Sequence, residues 1–391
     1  MTAEKRRISI LGSTGSIGVS TLDVIGQLGG PDIFEVIAVT GNSNIPLLAK
    51  QAVATGARLA VTADENRYAE LKSMLAGSGT QVAAGRQALI DAASMDADWV
   101  MAAIVGTAGL APTLSAANRG ADIALANKEC LVSAGELFIK AVAQGGGQLI
   151  PVDSEHSAIF QSLEADQHHA VERIILTASG GPFRTWSRQE MANVTVDVAR
   201  AHPNWSMGLK VSIGSASMFN KALEMIEAKH LFNLEPEKIE VIVHPQSIIH
   251  SMVGYRDGAV LAQLGTPDMR TAIGYSLAYP DRPALDVERL DFAKLAHLDF
   301  EAPDETRFPA LRLARTALTR GGVQGAVMNA AEEMTFEAFC ASEIGFLSMA
   351  EIAEAVMEDM SDWDSARTIE DVFAADVEAR RRTREIITKK K

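Results

Sequence analysis

The chain has 391 residues, 47% of them apolar and 22% charged, and 36 basic against 50 acidic residues give a net charge of −14. That length is past the point where one hydrophobic core keeps growing, so two or three domains are expected, and the composition excludes a disordered chain. The acidic balance argues against nucleic acid or anionic lipid as partners, two cysteines exclude a disulfide framework, and the longest nearly apolar run (residues 99–111) is too short and too glycine-broken to span a membrane.

The start of the chain carries an apolar stretch too short for a signal peptide, so a cytoplasmic protein handling small molecules is expected. The first third alternates short apolar runs with segments of helical period. The runs fall at residues 7–11, 36–39, 59–61, 99–104 and 123–126, and residues 148–152 close the series. Apolar residues at successive positions bury both faces of a strand. This is the signature of parallel strands covered by helices, a doubly wound α/β sheet. Pro151 suits the end or the edge of such a sheet. Residues 173–176 read as a further strand, then 239–243. Residues 248–253 and 259–264 flank the turn signal Tyr255-Arg256-Asp257-Gly258 and read as an antiparallel hairpin. Residues 217–232 have helical spacing, and the proline-punctuated stretch 281–309 reads as a linker. From Ala310 the chain is rich in Ala, Glu and Leu at helical period, ending in a basic stretch, Arg380 to Lys391, that reads as a solvated helix end. The layout is therefore a doubly wound α/β domain (1–152), a central α+β domain (153–280), the linker, and a helical C-terminal domain (310–391).

In an open parallel sheet, ligands bind beyond the carboxyl ends of the strands. Small, polar or charged residues follow every predicted strand there: GSTGSIG at 12–18, TGNSN at 40–44, GTAG at 106–109, NKE at 127–129 and DSE at 153–155. The first loop has GxxGxxG spacing between a strand and a helix. It is either a glycine turn with an ordinary helix start or a backbone cradle for a pyrophosphate. The second loop lacks the carboxylate that usually holds the ribose 2′-hydroxyl of NAD, which favours NADP(H). Asp153 and Glu155, two apart, either cap a helix start or face one ion; Glu224 and Glu227 either form a solvated helix edge or add a third carboxylate. An all-oxygen set would select Mg²⁺ or Mn²⁺. The turn 177–181, with Ser215, Asn220 and Lys221, suits a phosphate monoester, the alternative being plain capping with an exposed lysine. His202, His244 and His250 are more often structural than catalytic.

Taken in order, GSTGSIG (12–18), ANKE (126–129), VDSEHSAIFQ (152–161), ASGGPFR (178–184), HPNWSMG (202–208), NKALEMIEA (220–228) and HPQSIIHSMV (244–253) closely resemble the 1-deoxy-D-xylulose 5-phosphate reductoisomerase family. The resemblance runs on through LAQLGTPDMRTAI (261–273) and MNAAEE (328–333), so it covers essentially the whole chain. It implies a homodimeric enzyme with a Rossmann-like NADPH domain, a central catalytic domain and a C-terminal helical domain. It also implies conversion of 1-deoxy-D-xylulose 5-phosphate to 2-C-methyl-D-erythritol 4-phosphate with NADPH and a divalent metal, in non-mevalonate isoprenoid synthesis. By motif, Thr14, Gly15, Ser16 and Ile17 would hold the pyrophosphate. Gly41 and Asn44 would lie at the adenosine end, Asn127 and Glu129 would touch the cofactor, and Gly208 would lie against the nicotinamide side. Asp153, Glu155 and Glu224 would be the metal ligands. Lys128, Ser154 and His202 would touch substrate, Trp205 would cover it from a closing segment (202–208), and Ser179, Ser215, Asn220 and Lys221 would bind its phosphate. Ser43, Gly214 and Phe219 depart from the residues the resemblance would place there.

Overall fold

The computed structural model describes residues 5–201, 208–363 and 366–390. In chain order, strands and helices first alternate: β1 (Arg6–Leu11), α1 (Ser16–Gln27), β2 (Phe34–Gly41), α2 (Ile45–Thr55), β3 (Leu59–Thr62), α3 (Tyr68–Met74), β4 (Gln81–Ala84), α4 (Arg86–Ala93), β5 (Trp99–Ala102), α5 (Leu110–Arg119), β6 (Asp122–Leu125), α6 (Glu129–Gly145) and β7 (Leu149–Pro151). Then come α7 (Ser154–Ser162), β8 (Val171–Ala178), the short α8 (Arg188–Met191) and α9 (Val196–Ala199), α10 (Leu209–Ala216), α11 (Phe219–Phe232), β9 (Ile239–Val243), β10 (Ile249–Tyr255) and β11 (Val260–Leu264). The chain ends with α12 (Met269–Ala278), the single turn α13 (Phe292–Leu295), α14 (Ala310–Arg320), α15 (Gln324–Cys340), α16 (Ser348–Asp359) and α17 (Ile369–Lys390).

The chain divides into two compact units. The first comprises Met1–Cys130, Phe138–Ser157 and Asp268–Glu288. Its core is a parallel sheet of order β4-β3-β2-β1-β5-β6-β7. The chain winds outward from β1 through β2, β3 and β4, then returns to the other side of β1 at β5, so the order reverses at β1 and opens a crevice at the carboxyl ends of β1 and β5. The strands bury both faces, with Ile8, Ile10, Val39, Ala60, Trp99 and Met101 almost without exposure, as the unbroken apolar runs demand. Pro151 ends the edge strand β7, where its missing N–H interrupts no interior ladder. Residues 268–288 lie after the central strands in sequence but pack in this first unit. Ile273 and Leu277 of α12 enter its core, and the Trp99 indole N–H donates to the Ser276 carbonyl at 3.2 Å.

The second unit comprises Leu131–Leu137, Ala158–Pro267 and Arg289–Lys391. It holds a four-stranded sheet of order β11-β10-β8-β9, in which β8 and β9 run parallel and β10 pairs antiparallel with both β8 and β11. The hairpin at 248–264 is the β10–β11 pair. Helix α11 begins at Phe219, two residues later than its spacing suggests, because Met218 takes a left-handed conformation (φ 64°) that ends the preceding helical stretch. Helices α14 to α17 share one core with it through Leu313, Met328, Ile352 and Ala375. The stretch 281–309 is not wholly irregular: it contains α13, and Glu301 pairs its backbone with Val243 at the edge of β9 in two hydrogen bonds of 2.9 Å. The basic C-terminal stretch is less solvated than its charge suggests. Arg380 is mostly buried between Asp376 and Glu333, and Arg382 reaches Asp359, so these cations are paired rather than free in water. Among the described residues, no helix is long and apolar enough to cross a membrane.

Candidate active site

The first unit presents its loops at the carboxyl edge of the parallel sheet. Gly12 follows β1 at φ +88°, and a Cβ there would lie 2.5 Å from the Ala103 carbonyl oxygen, so only glycine lets the turn pass beside the chain leaving β5. A Cβ on Gly18 would lie 2.4 Å from the Gly12 oxygen and from Ser13 Cα; this third glycine lets α1 pack directly on the loop. Gly15 is the N-cap of α1, with no side-chain cap. The first-turn N–H groups at Ser16 and Ile17 have no partner within the helix, and with Thr14 they form the cradle a pyrophosphate needs. Gly41, after β2, passes against Thr14, where a Cβ would sit 3.0 Å from its methyl group, so the first two loops adjoin. Asn44 serves the fold as well: its side chain caps α2 by accepting from Leu47 N–H at 3.3 Å.

Strands β6 and β7 are parallel neighbours, Leu125 opposite Pro151, so the loops that leave them converge. Lys128 Nζ meets Asp153 Oδ2 at 2.6 Å, with the two side chains only 12% and 14% exposed. Burial would push the Asp153 carboxyl up, but the charge of Lys128, then His156, and hydrogen bonding hold it well below the usual carboxylate range. Ser154 Oγ donates to Glu155 Oε2 at 2.5 Å. Asn127 and Glu129 are turned toward their own neighbourhood. The Asn127 amide donates to the Gly106 carbonyl at 2.9 Å and accepts from Cys130 N–H at 2.9 Å, while Glu129 accepts from Gly106 N–H at 3.1 Å. Both brace the loop after β5.

In the second unit, β8 and β9 end side by side, Ala178 opposite Val243. The turn after β8 puts Gly180 and Gly181 at φ +80° and +65°, and Ser179 Oγ accepts from Gly181 N–H at 3.2 Å. A Cβ on Gly181 would lie 2.9 Å from the Ser215 carbonyl oxygen and 3.0 Å from Ala216 Cα, so this turn lies directly on the end of α10. Gly214 in turn approaches Asn220, whose Cβ is 3.6 Å from where its own would be. Asn220 and Lys221 both donate to the carboxylate of Glu224, one oxygen each. Thus Ser179, Ser215, Asn220, Lys221 and Glu224 form one group. Lys221 is 4% exposed and Glu224 not at all, which overturns the reading of an exposed lysine and a solvated helix edge. Glu227, one turn on, is equally buried. Glu155 and Asp153 lie in the first unit and this group in the second.

His202 and Trp205 lie outside the described residues. Gly208 is exposed at the start of α10. His244 is structural: its ring bonds to the Asp299 carbonyl at 2.9 Å and accepts from Ile248 N–H at 3.2 Å. Cys130 is fully buried. Sequence reasoning missed Gln51, which bonds to Ser13 in the glycine loop; no local pattern marks it, since the two are 38 positions apart.

The donors are hard carboxylate oxygens, one of them kept ionised by an adjacent ammonium, and that chemistry fits Mg²⁺ or Mn²⁺ rather than a thiolate metal. A family model described as 1-deoxy-D-xylulose 5-phosphate reductoisomerase matches residues 8–135, its C-terminal domain model matches 149–232, and a DXP reductoisomerase C-terminal domain model matches 264–382. The chain is 76% identical over 378 residues to the 1-deoxy-D-xylulose 5-phosphate reductoisomerase of Rhizobium rhizogenes (97% of this chain, 95% of that one). It is 71% identical over 386 residues to that of Allorhizobium ampelinum (99% and 97%). Among solved structures it resembles the Zymomonas mobilis reductoisomerase in complex with NADPH, with a TM-score of 0.92 at 52% identity (98% and 99% covered). It also resembles a DOX-P reductoisomerase in complex with NADPH, fosmidomycin and magnesium, with a TM-score of 0.93 at 41% identity (98% of each).

Proposed function

The chain belongs to the 1-deoxy-D-xylulose 5-phosphate reductoisomerase family, and from that premise we propose how its own residues carry out the family's reaction. The protein is an NADP-dependent oxidoreductase that isomerises and reduces 1-deoxy-D-xylulose 5-phosphate to 2-C-methyl-D-erythritol 4-phosphate, with NADPH and a divalent metal ion, in isoprenoid biosynthesis. When bound, the metal polarises the substrate carbonyl and NADPH supplies the hydride.

The remaining steps belong to this chain's own residues. Thr14, Ser16 and Ile17 hold the pyrophosphate by backbone N–H groups; Gly15, whose own N–H donates to the Gly12 carbonyl at 3.1 Å, lets the chain approach it closely; Gly41 and Asn44 lie at the adenosine end and Gly208 toward the nicotinamide. Asn127 and Glu129 act on the cofactor by holding the loop at Gly106. Asp153, Glu155 and Glu224 supply the metal's carboxylate oxygens. Lys128 keeps Asp153 ionised and, with Ser154 and His202, contacts the substrate oxygens; Trp205 excludes water. Ser179, Ser215, Asn220 and Lys221 take the phosphate, whose remote binding energy orients the reacting carbons. Residues 1–152 thus serve mainly NADPH, with Lys128 also reaching the substrate, and 153–280 mainly the substrate and metal, with Gly208 also reaching the cofactor, while 310–391 support them. The observation that carries this reading is the complete burial of Glu224 beneath Lys221 and Asn220. A carboxylate wholly withdrawn from water, on a helix with no exposed residue, is costly, and such groups cluster at functional sites.

We also read the enzyme as a cytoplasmic homodimer. Support comes from the free thiols of Cys130 and Cys340 and from the edge strand β11, whose Val260 and Leu261 are 48% and 40% exposed. The test is NADPH oxidation with 1-deoxy-D-xylulose 5-phosphate, with and without a chelator. Turnover should vanish on chelation and return with Mg²⁺ or Mn²⁺; turnover indifferent to chelation would overturn the carboxylate assignments.

A further inference from the structure

We propose that Gln51 is a positioning residue for the cofactor: from helix α2 its carboxamide sets the Ser13–Thr14 peptide so that the Thr14 N–H faces the pyrophosphate. The proposal rests on the reading of residues 12–18 as the pyrophosphate loop. Gln51 lies on the apolar face of α2, beside Leu48 and Ala52, and is 7% exposed; Ser13 is not exposed at all. A polar residue on a buried stripe needs partners, and this one has two on a single residue. Gln51 Nε2 donates to the Ser13 carbonyl at 2.8 Å, and Ser13 Oγ donates to Gln51 Oε1 at 2.8 Å, sharing its proton with the Thr40 carbonyl at 3.1 Å. The Ser13 carbonyl can only accept, which fixes the amide's orientation.

The consequence comes from peptide geometry. In a trans peptide the carbonyl and the next N–H point in opposite directions. Drawing the Ser13 oxygen toward α2 therefore turns the Thr14 N–H away from α2, to the side where the first turn of α1 presents its own N–H groups. It also keeps the negative end of that peptide dipole away from a bound anion. The other backbone groups of the turn are held independently: Gly12 N–H donates to Thr40 Oγ1 at 2.8 Å and Ser13 N–H to the Thr40 carbonyl at 2.7 Å. Those bonds fix where the turn begins, and Gln51 grips the carbonyl that precedes Thr14. Because Asn44 caps the same helix, α2 also ties the pyrophosphate loop to the adenosine-side loop.

The test uses the full-length protein and reads NADPH binding directly, by nicotinamide fluorescence without substrate, alongside kinetics. Gln51→Leu, which keeps the bulk and removes both bonds, should weaken NADPH roughly tenfold. The affinity for 2′-phosphoadenosine 5′-monophosphate, which lacks the pyrophosphate bridge, and the KM for the phosphorylated substrate should stay within about twofold. Gln51→Glu should bind NADPH weakly at pH 8, where a carboxylate faces the Ser13 oxygen. It should recover toward pH 6, because burial against the Ser13 carbonyl raises this carboxyl and lets it take up a proton and donate again; this comparison of one protein at two pH values serves if the leucine variant fails to fold. Unchanged NADPH affinity in both variants would overturn the proposal, as would equal loss of NADPH and the bridgeless nucleotide. Gly15→Glu tests the underlying reading separately. If it binds NADPH normally, the loop assignment fails; if it abolishes binding while Gln51→Leu binds normally, only the role of Gln51 fails.

Discussion

Replacing Gly181 by alanine probes the contact that joins two parts of the phosphate group. Two costs add. Gly181 sits at φ +65°, where an L side chain costs about 1–2 kcal/mol. Its Cβ would also land 2.9 Å from the Ser215 oxygen and 3.0 Å from Ala216 Cα, both backbone atoms, so no side-chain rotation relieves the overlap. Overpacking of that kind costs about 1–3 kcal/mol. Gly146 supplies the reference: at φ +85° it has nothing within 4 Å of a Cβ, so Gly146→Ala should show the conformational cost alone. Denaturant unfolding should therefore find Gly181→Ala about 1–3 kcal/mol less stable than Gly146→Ala. Because the overlap pushes the Ser179 turn off α10, steady-state kinetics should show KM for the phosphorylated substrate raised by about tenfold or more, with KM for NADPH unchanged. Equal destabilisation of the two variants would refute the steric argument. Full destabilisation with an unchanged substrate KM would refute the placement of the phosphate.

Lys221→Met leaves the buried Glu224 without its ammonium, so unfolding experiments should show a loss of about 3–5 kcal/mol, and substrate KM should rise while NADPH affinity holds. His230 packs face-on against Gly135, and burial, with Lys229 beside it, pushes its imidazole down to about 4. The unfolded chain therefore takes up this proton first: the contribution to stability is complete above about pH 6.5, and up to about 3 kcal/mol is lost as pH falls toward 4. His230→Gln should flatten the stability profile in that window, and an unchanged slope would contradict the assignment. Ser43 is exposed in the loop after β2, where no carboxylate stands. Ser43→Asp should cut kcat/KM for NADPH more than for NADH, and an unchanged ratio would remove the argument for how the 2′-phosphate is tolerated.

The first sheet was legible because most of its strands carry short, mainly apolar runs of three to six residues that give way to polar loops. Strand β4 was not, since Gln81–Ala84 is a half-buried edge of small residues with no apolar run to announce it. Nor was the return of α12 to the first unit, which depends on contacts such as Trp99 to Ser276, 177 positions apart. The site residues could be read because loops after parallel strands converge whatever the helices do; Lys128 and Asp153 meet because β6 and β7 are neighbours. What sequence leaves open is burial. Lys221 and Glu224 have the composition of a solvated helix face, and only the packing of α11 among α10, α14, α15 and the β8–β9 strands decides otherwise. The same holds for Arg380, whose charge reads as a tail until Asp376 and Glu333 enclose it.

Titration with Mn²⁺, tracked by the paramagnetic signal of the unbound ion, tests the assignment of Asp153, Glu155 and Glu224 to one cation most directly. The unaltered protein should take up a single tight equivalent. Asp153→Asn, Glu155→Gln and Glu224→Gln should each weaken it by about tenfold or more while folding and binding NADPH normally. Full Mn²⁺ affinity in Glu224→Gln, or loss in only one of the three variants, would contradict the account.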